Sequence, residues 1–153
     1  NKTGHIIDLG SLSPEFEQIY SSFVSMPGYG SYFPKEEAKV GEGWQIPIDI
    51  HADGFSLEGT VNFGISGITS ITVPAGTYHV FKMDITAPNI QGAYEYSGVT
   101  VNLVASMNGY GYLENGTCRP IEFNIQESVT GISMGKTISM SMTMRMQLIE
   151  HVK

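Results

Sequence analysis

Cysteine is nearly absent from this sequence: Cys118 is the only one in 153 residues. A lone thiol excludes an intramolecular disulfide. Charge is also scarce, at 15% of residues, and the balance of 8 basic against 15 acidic side chains gives −7. The basic residues are scattered and form no run, which argues against a nucleic-acid partner, because phosphate binding needs a cationic face. No apolar run approaches the ~18 residues that a membrane-spanning helix requires. The low charge and the 41% hydrophobic content are unlike a solvated disordered tail or a coiled coil. The length suits one domain, 1–153, with a lead-in and helix over 1–32 and strands over 33–153.

The N-terminal part carries one helix signal. Ser13 suits an N-cap, Pro14 the first helical position, and Glu15 the positive end of the dipole. Phe16, Ile19, Tyr20 and Phe23 then recur at helical spacing, and Pro27-Gly28 ends the pattern. The chain opens on Asn1 rather than Met, from which we expect a signal peptide or lipid-anchor segment to have been removed.

From Trp44 onward the apolar period is two. Ile46, Ile48 and Ile50 alternate with other residues up to Asp53-Gly54, a type I′ hairpin signal. Val61, Phe63 and Ile65 follow, then Ile71 and Val73 before the turn Pro74-Ala75-Gly76. His79, Phe81, Met83 and Ile85 share a face that ends near Pro88, and Val99, Val101, Leu103 and Ala105 share one that ends at Asn108-Gly109. A short strand through Tyr110 and Tyr112 reaches Asn115-Gly116, and Ile121, Phe123 and Ile125 come next. The last strand is the clearest. Ile138, Met140, Met142, Met144, Met146 and Leu148 lie on one side, with Ser139, Ser141, Thr143, Arg145 and Gln147 on the other. This pattern predicts seven to nine antiparallel strands in a sheet that is solvated on one face and covered on the other.

Several motifs bear on chemistry. Gly131-Ile132-Ser133-Met134-Gly135 matches the nucleophile elbow, but it precedes a strand where the elbow needs a helix. Asp49 to Gly54 resembles half a calcium loop, yet His51 stands at its third position and Thr60 at its twelfth, where oxygen-rich ligands are needed. His5, His51, His79 and His151 form no zinc-ligand spacing, so no metal or cofactor is expected, although folding can bring them together. Cys118 has no neighbour that would activate it. Asn115-Gly116-Thr117 is a glycosylation triplet on a hairpin tip, which makes Asn115 a candidate acceptor. Tyr29 and Tyr32, Tyr94 and Tyr96, and Tyr110 and Tyr112 form close pairs that suit either strands or a carbohydrate- or partner-binding surface. Five of the eight methionines fall between Met134 and Met146. A stripe with thioethers roughly 6.5 Å apart cannot cage copper, so these residues read as core or as the lining of a deformable apolar cavity.

Two stretches resemble a known group. Phe33 to Trp44, with Val40-Gly41-Glu42-Gly43-Trp44 at its end, is similar to the entry of exported bacterial and archaeal domains related to LolA-like lipoprotein carriers. Ile71 to Met83, containing Val73-Pro74-Ala75-Gly76-Thr77-Tyr78, resembles their strand–turn–strand. The resemblance implies a curved antiparallel sheet, a half-barrel, with one N-terminal helix on its concave face, and it carries over no catalytic residue.

The expected function is therefore a non-enzymatic, exported or membrane-tethered binding domain, at the cell surface or in a periplasm-like space. Its ligand would be apolar or lipid-like, held by Phe63, Phe81, Met83, Leu103, Phe123, Met142 and Met144. The alternative is a cell-surface structural or interaction module with a fully packed core.

Overall fold

The structure, a computed structural model, describes residues 37–150. The helix read over Pro14 to Phe23, the Tyr29 and Tyr32 pair, His5 and His151 lie outside the described residues. Within them the chain is all β. Six antiparallel strands form one open sheet in sequence order: β1 (Gly43–Ala52), β2 (Phe55–Val73), β3 (Gly76–Tyr96), β4 (Val99–Glu114), β5 (Pro120–Ser133) and β6 (Lys136–Gln147). The expected seven to nine strands are thus six, because several predicted breaks are passed without interruption. Asn108-Gly109 lies inside β4, paired with Gln126 and Ile125 of β5. Pro88 lies inside β3, where the register slips between Ala87 and Ile90 against β4. A proline has no N–H for the ladder, and a bulge is where a strand tolerates that loss.

Four hairpins close on two-residue loops. Asp53-Gly54 joins β1 to β2, as its sequence predicts, but only Gly54 takes positive φ (72°), whereas type I′ needs it at both positions. Gly76, at φ 132°, ends the Pro74-Ala75 turn. Ser97-Gly98 and Met134-Gly135 both take positive φ, as type I′ turns do. The second of these lies in the apparent nucleophile elbow. Ser133 there is the last residue of β5, pairs with Lys136, and donates its hydroxyl to the Thr100 carbonyl (3.1 Å).

Strand pairing assigns side chains to two faces, A and B. Face A carries Ile46 and Ile48 of β1, Val61, Phe63 and Ile65 of β2, and Phe81, Met83, Ile85 and Ala87 of β3, all buried. Trp44 continues this row and stacks on Phe63 (centroids 5.5 Å apart, 11° between planes). The bulge at Pro88-Asn89 switches parity, so buried Ile90 follows buried Ala87 on the same face. Leu113 and Ile125 extend the buried area onto β4 and β5.

Face B is not uniformly solvated, which corrects the two-sided expectation. Val73, Val80 and Ile121 form a buried cluster there, flanked by Ile71, Ala75, Tyr78, Tyr112 and Leu148. Val80 neighbours Phe81 in sequence, so β3 is buried on both sides at this point. Arg119 caps the cluster. Its guanidinium lies 5.1 Å from the Tyr78 ring centre and its Nη2 bonds Glu114 Oε1 at 3.1 Å.

Candidate functional site

The seven residues proposed to line a ligand all fall on face A. Phe63 pairs with Ile85, Met83 with Gly111, Leu103 with Gly92, Phe123 with Gly111 and Met146, Met142 with Glu127, and Met144 with Ile125. They differ in burial. Phe63, Phe81 and Met83 are sealed from solvent, whereas Leu103, Phe123, Met142 and Met144 are half-buried. The methionine stripe occupies β6, an edge strand, and this location is what sequence alternation did not reveal. Ile138 is 75% exposed, Met140 54% and Met146 46%. The stripe is therefore not a closed core. Face A grades from a packed region over β1–β3 to an accessible apolar strip over β4–β6.

Glycines shape that strip. Gly111 sits beneath Phe123, and an added Cβ there would lie 2.8 Å from two of the ring's atoms and closer still to a third. The absent side chain lets the Phe123 ring lie flat across β4. Gly131 likewise leaves room beside Val101 and Leu103.

One ionisable group interrupts the strip. Glu127 lies on face A between Met107 of β4 and Met142 of β6, and burial pushes its carboxyl above the usual carboxylate range. Its charge is therefore a cost to folding once it ionises. Below the pKa of the unfolded chain the carboxyl is protonated in both states, and no cost arises. As pH rises from there through the raised folded value, the unfolded state loses its proton first and stability declines. Glu127→Gln should thus be more stable than the parent at pH 7 and no different near pH 4. The gain should be on the order of 0.5 kcal/mol, kept small by the group's partial exposure, or roughly 1–2 °C in Tm by calorimetry.

Comparison with known protein families, curated proteins and solved structures finds no match. The site must be read from its own chemistry.

Other candidate groups are placed as follows. His51 Nε2 lies 2.8 Å from Asp49 Oδ1 and 3.5 Å from Glu58 Oε1, on face B of the β1–β2 hairpin. These three exposed groups converge closely enough to bind a cation, and the sequence missed Glu58 because it comes from the opposite strand. Asp49 and Glu58 face each other across the ladder, and the exposed imidazole lies between their carboxylates. Cys118 adopts φ 54° in the β4–β5 connection, and burial raises its thiol pKa, which disfavours the thiolate. Asn115 is half-buried, and its Oδ1 accepts the Ala38 N–H at 3.1 Å. It tethers the entry segment to the β4–β5 turn. Tyr110 and Tyr112, paired in the sequence, meet edge to face on face B (5.5 Å, 70°).

Proposed function

We propose that this chain is a non-enzymatic binding domain that holds an apolar, acyl-like ligand along face A. The observation that carries the reading is the accessible part of that face. Leu103, Phe123, Met142 and Met144 stay half-open beside a sealed floor of Phe63, Phe81 and Met83. Methionine adapts to chains of varying shape at low cost. Export or tethering to a membrane, a half-barrel curvature and a LolA-like helix on the concave side belong to the same proposal, and rest on the sequence resemblance. A cell-surface interaction module is the competing reading, and the edge of β6, unpaired among the described residues, favours it, since such an edge accepts a partner strand.

Native mass spectrometry of detergent-free protein, followed by organic extraction, separates the two. A stoichiometric acyl species supports the carrier reading. A clean apo mass, unchanged after incubation with fatty acid or phospholipid, supports the module. Met142→Lys and Met144→Lys should each reduce retention of a fluorescent fatty acid at least tenfold without unfolding the sheet, because both positions lie on the solvent-accessible edge strand.

A further inference from the structure

Face B carries a second feature that the apolar-ligand reading does not use. Two cross-sheet rows stand side by side there: Lys82, Tyr112, Glu122 and Gln147, and Asp84, Tyr110, Asn124 and Arg145. Beside them is an open depression of about 380 Å³ lined by Tyr110, Glu122, Asn124, Arg145 and Gln147, with Phe123 and Met146 of face A also at its wall. The volume suits a small ligand.

Two of the charged groups around this depression are already paired. Lys82 Nζ lies 3.6 Å from Asp84 Oδ1 and 5.1 Å from the centre of the Tyr110 ring. Glu122 Oε2 accepts a hydrogen bond from Gln147 Nε2 at 3.0 Å. Arg145 is different. Among the described residues its guanidinium has no ion pair and no hydrogen bond, and its same-face neighbours on β6 are the uncharged Thr143 and Gln147. Directly across from it in register is Asn124, also without a hydrogen-bonding side chain among the described residues, and then Tyr110.

We propose that this depression binds a carboxylate-bearing saccharide, with Arg145 holding the carboxylate. A guanidinium presents a planar fork of donors that matches a carboxylate in two bonds. The amides of Asn124 and Gln147 both donate and accept, as sugar hydroxyls do. The tyrosine rings offer an apolar surface with a polar edge, which suits the C–H face of a pyranose. An acidic peptide fits less well. Extended peptides gain affinity from backbone hydrogen bonds at a strand edge, whereas Tyr110, Asn124 and Arg145 offer side chains on the sheet face.

The test uses the full chain and three probes: an oligogalacturonate, a neutral cello-oligosaccharide and a short oligoglutamate peptide. Binding is followed by calorimetry and by amide NMR shifts at 50 and 300 mM salt. The expected result is binding of the oligogalacturonate alone, weakened by salt, with shifts centred on Tyr110, Asn124 and Arg145. Arg145→Gln should weaken it at least tenfold, and Arg145→Lys should do so less. Met142→Lys should leave saccharide binding unchanged, and Arg145→Gln should leave fatty-acid retention unchanged, so the two faces fail or succeed separately. Equal binding of the neutral sugar, tighter binding of the peptide, indifference to Arg145→Gln, or no binding of any probe would each overturn the proposal.

Discussion

Phe81→Ala is expected to cost about 3–5 kcal/mol of unfolding free energy, the range for removing a buried aromatic ring. The side chain is fully buried on face A and meets Leu113 of β4 and Ile68 of β2 in register, with Met83 next along its own strand. Hydrogen-bonded strands on both sides limit how far the cavity can collapse. A domain of this size has roughly 5–15 kcal/mol in total, so the variant should lose a large part of its stability. Urea denaturation followed by circular dichroism reads the effect as a lower midpoint at unchanged slope. Phe81→Leu should cost under half as much. A loss below about 1 kcal/mol for the alanine variant would show that the main core does not lie on face A.

The second large effect is expected at Gly111. Gly111→Val places a branched side chain where the Phe123 ring now lies. Forcing extra atoms into a packed position costs about 1–3 kcal/mol. Adding Phe123→Ala should recover part of the loss, because it removes the atoms that clash. A double-mutant cycle over these two sites should therefore show coupling of about 1 kcal/mol or more. Gly64→Ala is the matching control. Nothing lies within 4 Å of a Cβ there, so little change is expected. If Gly111→Val and Gly64→Ala behave alike, the ring does not rest on β4. The cycle also bears on function, since a displaced Phe123 would alter the surface on which an acyl chain is proposed to lie.

Much of the local structure could be read without coordinates. The alternation of Ile138, Met140, Met142, Met144 and Met146 with Ser139, Ser141, Thr143 and Arg145 placed each set on its own face of β6, and the pairing agrees. Asp53-Gly54 and Pro74-Ala75-Gly76 marked real turns, because a glycine with positive φ is a local steric requirement. Asn108-Gly109 misled for the same local reason. That dipeptide favours a tight turn, but here Gly109 is needed for another purpose: a Cβ would collide with Asn124 and Ile125 of the next strand, so the residue keeps β4 and β5 close. Ser97-Gly98 and Met134-Gly135 are also turns, and Ser97 and Met134 take positive φ that their side chains do not advertise in the sequence.

By itself the sequence determined the class of structure, the alternation of faces and most of the chemistry available, since these follow from period-two patterning and turn sterics within a few residues. The tertiary structure decided where that chemistry is displayed. It set the Pro88-Asn89 bulge that keeps Ala87 and Ile90 on one face, and the Val73, Val80 and Ile121 cluster on the other. It brought Glu58 to His51 and lined up Tyr110, Asn124 and Arg145 across three strands. It also put the methionine stripe on an edge, open to solvent, where a central strand would have buried it. Strand order and cross-strand register join residues far apart in the chain, and no local pattern carries that information.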